Sequence, residues 1–144
     1  LQDILPTFAA AAGASIGQPV QGRDLTPALR DPAATVRDLY YASTLEDEWS
    51  SAMVCDGAWK YVYSAGNATE ELYDQVNDPR ELRNLAAHAD QRERLDHLRR
   101  ALREQAGAAC DHSLFRNGEL VRGTVDREAI RSEKTGRAMG WRWY

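Results

Sequence analysis

Cysteine is nearly absent from the 144-residue sequence: Cys55 and Cys110 are the only two. They stand in neither C-x-x-C nor Cys/His cluster spacing, so neither a zinc site nor a disulfide framework is indicated, and only a single bridge between them stays open. Long apolar runs are missing too, since nothing approaches the roughly 18 residues of a membrane span. The short apolar segment from Phe8 to Ala12 follows an Asp and a Pro, where a signal peptide would carry a basic region. Localisation is therefore not legible. An excess of positive charge is also lacking. Net charge is −4 with a pI near 5.4, which argues against binding a phosphate backbone. Histidine is sparse and scattered (His88, His97, His112). Metal and nucleophile chemistry need convergent groups, so no catalytic or metal residue is assigned, and His97 reads as solvent-facing. Gly13, Gly17 and Gly22 follow no strand and precede no G-K-[ST], so they form no phosphate-cradling loop.

What is present is the composition of an ordinary globular chain, 43% hydrophobic and 28% charged, at a length that can bury a core. Charge is uneven: residues 36–87 hold four basic and ten acidic side chains, and residues 114–144 seven basic and four acidic. Such asymmetry reads as two solvated faces or two mutually attracting segments. Asp3 to Gly13 predicts a short helix with Asp3 as N-cap and Ile4, Leu5, Phe8 and Ala12 on one face. A Gly- and Gln-rich loop leads to a helical turn opened by Thr26-Pro27.

Val36–Ser43, Ala52–Cys55, Trp59–Tyr63 and Glu71–Tyr73 read as strands of an antiparallel sheet of about four. Asp56-Gly57 carries the signal of a type I′ hairpin turn. Asp78-Pro79-Arg80-Glu81 has the form of a capped helix start. A second capping box, Asp90 with Glu93, opens a helix to Ala106 whose Leu95, Leu98 and Leu102 recur at helical spacing, with Gly107 as the C-cap. Its Leu stripe packs on one face of the sheet, an α+β two-layer arrangement. On the same helix Asp96 and Arg100 form an i,i+4 pair. Asn117-Gly118 signals another hairpin, residues 126–137 are charged and weakly helical, and the chain ends in Trp141-Arg142-Trp143-Tyr144, an aromatic segment suited to docking on a surface.

Several side chains have both a structural and a functional reading. Cys55 sits in a strand pattern and reads as a small buried hydrophobe rather than a nucleophile. Lys60, between Trp59 and Tyr61, reads as a snorkelled structural lysine before a substrate-anion contact. Glu46, Asp47 and Glu48 read as a solvated loop before a cation site. Asn67-Ala68-Thr69 is a formal glycosylation sequon that serves equally as turn chemistry.

Three blocks in fixed order resemble the C-terminal part of a sulfatase, in the alkaline phosphatase superfamily. They are Asp3-Ile4-Leu5-Pro6-Thr7; Gln21-Gly22-Arg23-Asp24-Leu25-Thr26-Pro27-Ala28-Leu29, with Asp24 where Ser is commoner; and Asp56-Gly57-x-Trp59-Lys60-Tyr61 followed by Glu71-Leu72-Tyr73-Asp74 and Asp78-Pro79-x-Glu81-x-x-Asn84-Leu85. The likeness covers residues 3–107, and the remainder resembles a variable tail. It implies that residues 1–35 are the end of the large catalytic domain, 36–107 the small subdomain of sheet and helix, and 108–144 a hairpin and aromatic tail. It implies hydrolysis of sulfate esters by a formylglycine made from Cys or Ser in C/S-x-P-x-R, assisted by Ca²⁺ held on Asp and Asn.

Neither Cys55, Cys110 nor any serine fits that motif, so this chain is expected to be inactive alone, an N-terminally truncated fragment whose partner is the catalytic domain. No cofactor site, nucleic acid or membrane is expected for it. The Thr44–Ser50 loop is expected near the substrate entrance, although no substrate-binding residue can be named. The alternatives are a related phosphonate or phosphate monoester hydrolase, or a stand-alone α+β interaction module.

Overall fold

The computed structural model describes residues 2–44, 50–109, 114–116 and 119–122. The chain divides into two compact units, 1–39 and 40–144.

The first unit carries α1 (Ile4–Ala11) and α2 (Thr26–Arg30). Asp3 precedes α1 without capping it. Its carboxylate turns instead to the Arg23 N–H at 2.8 Å and to the Arg37 guanidinium, both of which hold its pKa below the usual carboxylate value. Two better partners outside the helix take the acceptor a cap would use. Thr7 continues the tether: its Oγ1 donates to the Asp3 carbonyl and accepts the Leu25 N–H. Asp24, in the place of the commoner Ser, accepts the Thr26 N–H at 2.8 Å and so starts α2. Gly22 has no alternative, because a Cβ there would lie 1.9 Å from the Gln2 carbonyl oxygen.

The second unit holds a four-stranded antiparallel meander, β1 (Tyr40–Thr44), β2 (Ser51–Cys55), β3 (Trp59–Ser64) and β4 (Thr69–Asp74), in sequential order. β1 begins at Tyr40, four residues later than Val36, and is exposed except at half-buried Tyr41, whereas β2 and β3 keep the alternation the sequence predicts. Ala52, Val54, Tyr61, Tyr63 and Leu72 face inward. Against them lies α3 (Arg92–Ala108), burying Leu95, Leu98, Leu102 and Ala106. The sheet-and-helix architecture is as expected. A small hairpin, β5 (Phe115–Arg116) with β6 (Glu119–Leu120), joins the core through buried Leu114 and through the Tyr63 hydroxyl, which donates to the Val121 carbonyl at 2.7 Å.

Four local expectations change. The β2–β3 hairpin advances by one residue: Asp56 pairs with Trp59, leaving Gly57 (φ +88°) and Ala58 as the central pair. Gly at the first central position is the II′ arrangement, whereas I′ would need φ > 0 at both. The Asp56 carboxylate, accepting from the Ala58 and Trp59 N–H groups, holds that residue at the strand end. Asp78-Pro79-Arg80-Glu81 is a turn and starts no helix, because Glu81 adopts φ +55°. Asp90 does not cap α3. It lies within the short 3₁₀ turn Ala89–Gln91, its carboxylate accepts from the Gln91 side chain, and Gln91 precedes the helix. At the far end α3 runs through Gly107 and stops at Ala109.

Candidate functional site

The polar side chains of the second unit gather in two networks, one on each face of the sheet. On the open face, away from α3, Lys60 Nζ donates to both carboxylate oxygens of Glu81, at 3.0 and 2.9 Å. Gln75 Nε2 adds a third donor at 3.0 Å. These donors, the Lys60 ammonium foremost, hold Glu81 below the usual carboxylate pKa. The attraction explains the positive φ of Glu81: a residue outside its favoured backbone region persists where surrounding contacts fix it.

The remaining letters of the D-P-x-E-x-x-N-L block have equally local jobs. Asp74 accepts from the Val76 and Asn77 N–H groups, and Asp78 from the Arg83 N–H. Asn84 Oδ1 accepts the Leu72 N–H at 3.0 Å while its Nδ2 donates to the Glu70 carbonyl, and the Leu85 N–H donates to the Leu72 carbonyl. The block thus seals the outer edge of β4, whose backbone groups would otherwise be open to another strand.

Beneath α3, Glu70 receives Arg99 in a fork, Nε to Oε1 at 2.6 Å and Nη2 to Oε2 at 2.5 Å. Tyr61 donates its hydroxyl to Oε1 at 2.7 Å, and Arg99 Nη1 reaches Asp96 at 2.6 Å. The expected Asp96–Arg100 pair is replaced by this i,i+3 bond, since Arg99 faces the sheet and finds a second carboxylate there. Arg99 holds Glu70 below its usual pKa, and burial with the Glu70 bond drives the Tyr61 phenol far above its own. Charge-assisted, bidentate pairing of this kind is stronger than a neutral hydrogen bond.

Neither network resembles a catalytic centre. Every carboxylate in them is matched to a cation or to backbone N–H groups, and no nucleophile stands beside a base. Lys60 is engaged by Glu81, which fits its structural reading rather than a substrate-anion contact. Cys55 is half-buried at the end of β2, its Sγ accepting the Gly57 N–H at 3.4 Å. His88 and His97 are exposed. Asn67 is exposed in the β3–β4 turn. Among the described residues no three His, Cys, Asp or Glu side chains converge as a metal requires, and no helix is long and apolar enough to cross a membrane. Cys110, His112, the Glu46–Glu48 trio and the aromatic C-terminus lie outside the described residues. Sequence reasoning missed the Glu70–Arg99–Tyr61 cluster, whose members are spread over 39 positions and share no local pattern. The open face also carries a shallow depression of about 230 Å³, floored by Ala42, Met53 and Val62 and rimmed by Thr44, Ser51 and Lys60.

A four-stranded antiparallel sheet with one long helix is shared with part of several hydrolases of known structure. The chain aligns with a 2-O GAG sulfatase over 88% of its own length and 31% of that protein, at 24% identity and a TM-score of 0.67. It aligns with the phosphonate monoester hydrolase of Agrobacterium radiobacter over 78% and 25% respectively, at 26% identity and a TM-score of 0.59. In sequence it is 30% identical over 102 residues to an arylsulfatase of Clostridium perfringens, covering 71% of this chain and 21% of that enzyme. No protein-family model matches. The chain is a sulfatase-family C-terminal region. It spans about a fifth of the curated relative's length.

Proposed function

We propose that this chain is the supporting C-terminal portion of a sulfuric ester hydrolase. In this reading residues 1–35 complete the large catalytic domain, 36–107 form the subdomain beside it, and 108–144 are an appended hairpin and tail. The observation that carries it is the 30% identity over 102 residues to an arylsulfatase. The exposed apolar face of α1, with Ile4, Leu5 and Phe8, supports a role completed by further protein.

The family's Ca²⁺ and formylglycine find neither a ligand set among the described residues nor a C/S-x-P-x-R motif in the sequence, so no step of hydrolysis is assigned to this chain. The open sheet face and the 44–50 loop are the parts we assign to shaping the substrate cleft.

The test is the coding sequence on the N-terminal side of Leu1, which should encode C/S-x-P-x-R in frame. Its absence, or turnover of an aryl sulfate by the purified 144-residue chain, would overturn the reading. A phosphonate monoester hydrolase is the second reading, favoured by the 26% identity to that enzyme. The protein containing this chain should cleave sulfate esters faster than phosphonate monoesters, and the reverse preference selects the alternative.

A further inference from the structure

A groove of about 580 Å³ runs between Trp59, at the start of β3, and the first two turns of α3. It lies on the helix side of the sheet, away from the open face. Arg94 stacks its guanidinium over the Trp59 ring, 4.6 Å from the centroid. Stacking fixes the guanidinium plane while leaving in-plane N–H groups free to donate, so the stacked Arg94 is a preorganised fork for an oxyanion. His97 and Arg100 follow on the same side of the helix and line the groove. Among the described residues neither has a hydrogen-bond or ion-pair partner, in contrast to Arg99, which is fully engaged with Glu70 and Asp96. The opposite end is lined by Asp90 and Glu93. The groove is therefore bipolar, with cationic donors at one end and carboxylate acceptors at the other, beside one aromatic ring.

Each feature has a match in one ligand class. Guanidinium donors take a sulfate and carboxylates take hydroxyl donors, while the Trp59 ring holds Arg94 in place. A purely apolar ligand would leave these polar groups unmatched, and a bare anion would meet two carboxylates at the acidic end. We infer that the Trp59–Arg94–Arg100 groove binds a sulfated saccharide. The choice of sulfate rests on the sulfatase reading; the groove itself does not.

The experiment uses the 144-residue chain and follows the Trp59 indole N–H and the amides of residues 92–100 by NMR during titration with glucosamine 6-sulfate. Glucosamine and inorganic sulfate are run in parallel. The expected result is a saturable shift at Trp59 and Arg100 with the sulfated sugar, weakened at least about tenfold by Arg100→Ala, as loss of a charge-assisted bond implies. Arg100 is exposed, so its removal leaves the fold intact, which the unchanged remainder of the spectrum verifies. No shift, or an Arg100→Ala protein that binds as well as the parent, overturns the inference. An equal response to inorganic sulfate removes the saccharide from it, and an equal response to glucosamine removes the anion. Because no turnover is measured, a negative result leaves the sulfatase reading standing, and a missing upstream motif leaves the binding result standing.

Discussion

Glu70 and Arg99 show how single side chains hold this subdomain together. Their fork ties β4 to α3, and the Tyr61 hydroxyl donates to the same carboxylate. Arg99→Ala leaves a part-buried carboxylate without its cation, and we expect a loss of about 2–3 kcal/mol in urea unfolding at pH 7. The same pair sets an acid limit. Because the folded pKa of Glu70 lies below its ordinary value of 4.5, the unfolded chain binds the proton first as pH falls. The stabilisation is complete above that ordinary value and is lost as pH drops through the lower folded one. Glu70→Gln should therefore flatten the decline in unfolding free energy below pH 4.5 while costing stability at pH 7; an unchanged acid slope would assign the decline to other carboxylates. At Gly22 the constraint is steric. With the Gln2 carbonyl 1.9 Å from where a Cβ would sit, Gly22→Ala forces backbone to move at about 1–3 kcal/mol, measurable as faster amide exchange in α1.

At the scale of elements, the sequence was most informative where a pattern is periodic and local. The Leu95–Leu98–Leu102 stripe, the alternation in β2 and β3, and the sheet of four were all legible from spacing alone. It misled where local chemistry is ambiguous. Asp78-Pro79-Arg80-Glu81 satisfies every local requirement of a capping box, and the residue that decides otherwise is Lys60, 21 positions away. Asp90 with Glu93 failed likewise, once a 3₁₀ turn placed Asp90 inside it. The Trp59 groove was invisible for the same reason, since its two walls are separated by more than 30 residues. Asn84 offers the sharpest test of what the block does. Its side chain replaces a neighbouring strand by bonding both the Leu72 N–H and the Glu70 carbonyl. Asn84→Ala should cost about 1–2 kcal/mol and speed exchange of the Leu72 amide more than that of the Val62 amide in central β3. Uniform acceleration across the sheet would show that Asn84 supports overall stability rather than the edge.

For the whole molecule, burial is concentrated in one unit. Among the described residues, the fully buried large side chains lie in residues 50–114, whereas in residues 2–39 only Pro6 is buried. The first unit instead displays Phe8 at 69% and Leu29 at 75% exposure, with Ile4 and Leu5 also open to solvent. A unit of fewer than about 40 residues cannot bury enough surface to be stable unaided, and contiguous exposed apolar surface marks an interaction face or an aggregation hazard. The chain by itself should consequently bind a hydrophobic dye and associate with rising concentration. Leu5→Ser with Phe8→Ser should suppress both without moving the main unfolding transition, because neither side chain belongs to the core that melts. If the double variant associates as readily as the parent, the sticky surface lies elsewhere and the case for α1 as the face that meets the rest of the enzyme is lost. If association falls and the melt is unchanged, the division of labour is the one the sulfatase reading requires: a self-sufficient sheet and helix, and a leading segment whose stability depends on protein beyond it.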